Sequence, residues 1–115
     1  GADYIITQML FDNSKFFQFK DLCEKKGIDV PIIPGLKPIS TLKQINLIPH
    51  RFHCDLPEDL IKALIKCKDN SEARQVGIEW CIQQSKELLD AGVPFLHYYS
   101  MGKSSNIKAV AKAIF

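Results

Sequence analysis

Three short apolar runs, each introduced by a glycine, punctuate the chain. Gly1-Ala2-Asp3 precedes "YIITQ", Gly27-Ile28-Asp29 precedes "VPIIPG", and Ala91-Gly92 precedes "VPFLHYYS". None of the three alternates apolar with polar residues, which is how a parallel strand covered on both faces reads. Gly27 and Gly92 each follow a helical pattern, where a glycine in the left-handed region ends a helix.

Helical periodicity fills the intervals. Over 14–26, Phe16, Phe19, Leu22 and Cys23 share one face, with Asp12 or Asn13 as the cap. A short helix is predicted over 40–48. Another starts at Pro57, carries Glu58 and Asp59 in its first turn, and lines Leu60, Ile61, Leu64 and Ile65 along one side. A longer helix follows the polar "DNS" at 69–71 and runs to Asp90, burying Val76, Trp80, Cys81 and Leu88. The last, 106–115, brings Ile107, Val110, Ala111 and Ile114 together.

The predicted order is β-α-β-α-α-α-β-α. Strands separated by helices need crossovers, so the sheet is parallel and the class α/β. Three parallel strands alone leave two apolar edges open. The chain also starts without a methionine, one loop before a strand. The expectation is a partial (β/α)8 TIM barrel: the last three parallel βα units, with extra helices before the final strand. Residues 1–115 would be the C-terminal portion of a single barrel domain whose N-terminal half is absent.

Composition narrows the partners. The formal charge of +2 on 115 residues is too small for a nucleic-acid surface or a polybasic membrane contact. No apolar run reaches the roughly 18–20 residues of a spanning helix, and no signal-peptide pattern opens the sequence. Cys23, Cys54, Cys67 and Cys81 form no C-x-x-C pair. They read as reduced thiols of a cytoplasmic protein.

In a parallel barrel the chemistry gathers where strands end and loops lead into helices. Those ends are Thr7-Gln8, Pro34-Gly35-Leu36-Lys37 and Tyr99-Ser100-Met101-Gly102-Lys103. Gln8 closes a buried-looking run with a carboxamide. That group either holds a neighbouring backbone or faces a ligand that offers a donor beside an acceptor. Gln44, on the next helix, reads as a solvated helix residue. Lys37 and Lys103 stand near the rim, where an imine-forming amine could sit, though surface lysines are far commoner. "GKSS" at 102–105 lacks the first glycine of a phosphate loop, since His97 occupies that place. His50 and His53 are three apart without acidic or thiol company at metal-site spacing, so no metal is expected. His97 lies within a strand and reads as a hydrogen-bonded interior or rim residue.

Taken together, "GADYIITQMLFD", "GIDVPIIPGLKPIS" and "GVPFLHYYSMGK" resemble the C-terminal part of the catalytic barrel of methylenetetrahydrofolate reductase of the bacterial type. The similarity runs over the whole chain, with T-Q-x-x-F-D and I-I-P-G-x-x-P as its most specific segments. The resemblance implies a flavin-dependent reductase that converts 5,10-methylenetetrahydrofolate to 5-methyltetrahydrofolate with NADH or NADPH. It places the family's ligand glutamine on Gln8, serving both nicotinamide and folate, and a second folate-binding glutamine on Gln44. Ile48 falls where some relatives carry an aromatic residue against the ligand. Lys103 falls where some have an arginine, and lysine keeps the charge but loses the bidentate fork.

The family's proton-donating glutamate and most FAD contacts belong to the first half of the barrel, so no catalytic residue is expected here. The chain alone is expected to be inactive. Homo-oligomerisation, or self-association through open strand edges, is expected instead. Two other readings stay open: a lyase or aldolase fragment using Lys37 or Lys103, and a non-catalytic binding module.

Overall fold

The computed structural model describes residues 3–52, 56–99 and 104–115. The chain forms β1 (Ile5–Met9), α1 (Asn13–Lys25), β2 (Ile32–Leu36), α2 (Gln44–Phe52), α3 (Glu58–Ile65), α4 (Asn70–Asp90), β3 (His97–Tyr98) and α5 (Ser104–Ile114). The order is the one read from the sequence. The strands make an open parallel sheet in the order β1-β2-β3, with Ile5 beside Ile32, Ile6 beside Ile33, Gly35 beside His97 and Leu36 beside Tyr98. Helix α1 makes the crossover from β1 to β2, and α2, α3 and α4 that from β2 to β3.

Local chemistry sets the boundaries. The Asp12 carboxylate accepts from the Ser14 amide at 2.9 Å and caps α1, while Asp69 accepts from the Glu72 amide at 3.0 Å and caps α4. At the other ends Gly27 and Gly92 take φ of 79° and 90°. There Ile28 N–H reaches back to Cys23 O and Val93 N–H to Leu88 O, the six-to-one bond that closes a helix on a left-handed glycine.

Packing falls into two clusters. Phe16, Leu36, Ile78, Cys81, Leu88, Val93 and Val110 join the sheet to α1, α4 and α5. Met9, Phe11, Ile39, Ile48, Leu56, Leu60, Leu64 and Ala73 fill the space among the carboxyl ends of the strands, α2, α3 and the start of α4. The second cluster is a floor beneath the rim loops.

Several expectations change. The third strand is two residues long, not the length of "VPFLHYYS". Phe19 and Leu22 do not share the buried face of α1; they are 40% and 49% exposed, while Phe16 and Cys23 are buried. Helix α1 flanks an edge strand, and among the described residues no element covers its far side. Ile65 is exposed too, so α3 buries only Leu60 and Leu64 fully. Cys23, Cys67 and Cys81 are free thiols, and Cys54 lies outside the described residues. Among the described residues no helix is long and apolar enough to cross a membrane, and no group of three His, Cys, Asp or Glu could hold a metal ion. His50 lies on α2, and His53 is outside the described residues.

Candidate functional site

The carboxyl end of β1 breaks its ladder with β2. Regular pairing holds through Ile6 and Ile33, then shifts before Met9 meets Gly35. Inside the irregularity a side chain replaces the backbone: Gly35 N–H donates to Thr7 Oγ1 at 2.9 Å. Thr7 Oγ1 in turn donates to Gln8 O at 2.9 Å, and Tyr99 OH donates to Thr7 O at 2.8 Å. The carbonyls released from the ladder therefore still have partners, as half-buried backbone requires. A bulge of this kind re-aims the side chain that follows it. That side chain is Gln8, which is exposed at the strand end with a fixed main chain.

Gly35 is part of the same arrangement for reasons of space. A Cβ there would stand 2.4 Å from Tyr99 Cε2 and 2.7 Å from Thr7 O. The absent side chain lets the Tyr99 ring lie across β2 and reach β1. His97 packs edge-on against that ring with centroids 4.6 Å apart. Sequence reasoning passed over Thr7 and Tyr99 as partners of Gln8; the T-Q pair and the doubled tyrosine were the available signals.

The other candidates behave differently. Gln44 stands at the start of α2, where its Oε1 accepts from Ser40 N–H at 2.7 Å and Thr41 N–H at 3.2 Å. Its acceptor is committed to ordering the turn before the helix, and its Nε2 donor has no partner among the described residues. Ile48, one turn further, is 1% exposed and packed in the floor cluster. Lys103 lies outside the described residues. The structure thus brings Gln44 and Ile48 together on α2, one at the rim and one beneath it.

Lys37 is not a rim amine. It is 4% exposed, and its Nζ donates to Pro38 O at 3.3 Å. Burial pushes its pKa below the usual 10.5. A lowered amine pKa suits imine chemistry, yet this amine offers a substrate almost no surface. Burial also pushes the Cys81 thiol up to about 12, so it is neutral and unreactive at ordinary pH.

One cleft, of about 320 Å³, opens beside the start of α1 and is lined by Asp12, Asp59, Trp80, Gln84 and Glu87 among others. Another, of about 270 Å³, lies at the opposite, amino ends of the strands between Phe16, Ile28, Val30, Val93 and Phe95. Both sit near the lower bound of the roughly 300–1,000 Å³ typical of small-molecule sites.

Comparison with known proteins gives this geometry a setting. A family model described as methylenetetrahydrofolate reductase matches residues 1–114. Methylenetetrahydrofolate reductase (NADH) 1 of Arabidopsis thaliana is 36% identical over 102 residues, covering 88% of this chain and 17% of the relative. The 5,10-methylenetetrahydrofolate reductase of Escherichia coli is 30% identical over 115 residues, covering 99% of this chain and 39% of the relative. The chain therefore spans well under half the length of these relatives. Among solved structures, it superposes with a TM-score of 0.54 and 20% identity on an uncharacterized protein from Clostridium thermocellum that binds two copies of 5-methyl-5,6,7,8-tetrahydrofolic acid, over 98% of this chain and 42% of that one. That likeness concerns the fold. Because the family model spans all but the last residue, the chain belongs to the methylenetetrahydrofolate reductase family.

Proposed function

We propose that this chain forms the C-terminal part of a (β/α)8 reductase barrel that converts 5,10-methylenetetrahydrofolate to 5-methyltetrahydrofolate with NADH or NADPH. The observation that carries this reading is Gln8: a carboxamide exposed at a strand's carboxyl end, with its own carbonyl and the preceding residue fixed by three side-chain hydrogen bonds. A carboxamide so presented pairs with a donor beside an acceptor. A pterin edge and a nicotinamide carboxamide each supply that pair, so one residue serves both in turn. Gln44 adds its Nε2 donor from α2, Ile48 supports α2 from below, and Lys103 supplies a positive charge to the folate tail. Ile6 on β1 and Phe19 and Leu22 on α1 are exposed, where the remaining units of a closed barrel would cover them.

FAD, which the family uses, does not fit the described residues. Of the two clefts described above, the one near the strand carboxyl ends is lined by three carboxylates, which would repel a pyrophosphate, and the second lies at the wrong end of the sheet. This reading places most flavin contacts in the first half of the barrel, and the chain alone is expected to be inactive. What these residues do is bind and orient.

The test uses the full product of the gene. In an anaerobic visible spectrum, NADH or NADPH should bleach a flavin band and 5,10-methylenetetrahydrofolate should restore it. Gln8→Ala should slow both half-reactions. A colourless protein that binds no flavin, or a Gln8→Ala variant with unchanged turnover, would overturn the reading.

A further inference from the structure

Helix α4 touches the carboxyl end of every strand from one face. Gly77 packs on the Ile39 backbone after β2, Trp80 and Gln84 bond the segment after β1, and Ser85 Oγ lies 2.8 Å from Tyr98 OH in β3. The spacing of 77, 80–81, 84–85 and 88 is that of a single helical stripe.

The contacts to the β1 segment are hydrogen bonds to otherwise unpaired main chain. Trp80 Nε1 donates to Phe11 O at 2.8 Å. Gln84 Nε2 donates to Leu10 O at 3.3 Å and to Asn13 Oδ1 at 3.1 Å, and Asn13 Nδ2 returns a bond to Gln84 O at 3.1 Å. Leu10 N–H is held from the other side by Gly35 O at 2.9 Å. Residues 10–12 are neither strand nor helix, and that one bond to β2 is all the ladder gives them. Helix α4 supplies what a ladder would.

Gln84 carries a further mark. It is 5% exposed, and its Oε1 is buried without a donor among the described residues. An apolar residue of similar length would fill this place without an unsatisfied acceptor. The two Nε2 bonds are what the amide supplies in return.

We propose that Gln84 and Trp80 are positioning residues for Gln8: they hold the segment after β1 so that the Gln8 carboxamide meets its ligand at a fixed angle. This rests on the reading of Gln8 as a ligand contact. It assigns to α4 a share in ligand affinity although neither residue belongs to the strand that carries Gln8.

The experiment uses the full gene product with 5-methyltetrahydrofolate as probe. Gln84→Met keeps length and packing while removing both Nε2 bonds; Trp80→Phe keeps a ring and removes the Nε1 donor. Each should raise Kd and KM roughly three- to thirtyfold, below the hundredfold that a 1 Å misplacement can bring. Amide exchange at residues 9–13 should quicken while that of α5 does not. In a Gln8→Ala background neither change should weaken binding further, the non-additivity expected of groups acting as one unit. A purely structural role predicts a smaller folded fraction with unchanged Kd, and additive effects; either result overturns the proposal. If Gln8→Ala alone leaves Kd unchanged, the reading of Gln8 falls. Exchange at 9–13 then judges the clamp independently, and unaltered exchange in both α4 variants removes it.

Discussion

Gly77 is the residue whose replacement should most directly expose how α4 is seated. In an exposed helix, Gly→Ala stabilises by about 0.8–1.0 kcal/mol. Here a Cβ would lie 1.9 Å from Ile39 O, 2.7 Å from Ile39 C and 2.8 Å from Ile39 N. All three obstacles are backbone, so no rotamer can yield. Restoring an ordinary carbon–oxygen separation needs a displacement of roughly 1.4 Å between α4 and the loop after β2. That movement parts Ile39 from Ala73 and Leu64 in the floor cluster. Overpacking costs 1–3 kcal/mol in ordinary cores, and a backbone collision belongs at the top of that range, about 3 kcal/mol. Less the helix gain, the net loss is about 2 kcal/mol, or roughly 8 °C in Tm for a domain of this size. Urea unfolding followed by far-UV circular dichroism measures it. The fluorescence of Trp80, the single tryptophan, follows the same face of α4. A Gly77→Ala protein more stable than the parent by about 1 kcal/mol would refute the close approach, and with it the seating of α4 on the rim.

Lys37→Met should raise stability at pH 7, by about 1 kcal/mol or more, because it removes a charge held out of water by burial. Since the folded pKa of Lys37 is lowered, the unfolded chain binds more protons between that value and 10.5, so the parent gains stability with rising pH across this window. The gap between the two proteins should therefore narrow in urea titrations towards pH 10.5, and a gap independent of pH would contradict the buried amine. Cys81, with its pKa pushed up to about 12, should resist iodoacetamide at pH 8 in the folded protein and react on unfolding, as read by mass after proteolysis; rapid native labelling would count against its burial. Phe16→Ala should cost about 3–5 kcal/mol and Phe19→Ala less than about 1 kcal/mol in the isolated chain. If Phe19 faces further barrel strands, its substitution should cost markedly more in the full gene product, and equal costs in both settings would remove that interface.

The local signals in the chain carry some of these elements and not others. The glycines at 27 and 92, the cap at Asp12 and the polar "DNS" before α4 act within a few residues of themselves. Local sequence therefore carried the element order and the parallel α/β class. Gln8 stood out because a carboxamide closing an apolar run is conspicuous. Phe19 and Leu22 were misplaced because periodicity identifies an apolar face without saying whether a neighbour covers it. Gln44 read as solvated, but the two amides it accepts lie three and four residues before it, in a turn whose shape periodicity does not specify.

The sequence by itself determined the number and order of the helices, the ends of those closed by Asp12, Asp69, Gly27 and Gly92, and the family, since each rests on residues close together or on motifs of fixed spacing. Helix α2, expected over 40–48, begins only at Gln44 and runs to Phe52. Only the tertiary structure decided that Lys37 is buried, that Tyr99 reaches Thr7 across a glycine, and that one face of α4 holds the ends of all three strands. Trp80 and Phe11 are 69 residues apart in the chain. Their hydrogen bond exists because folding removes both groups from water and leaves each as the partner the other needs.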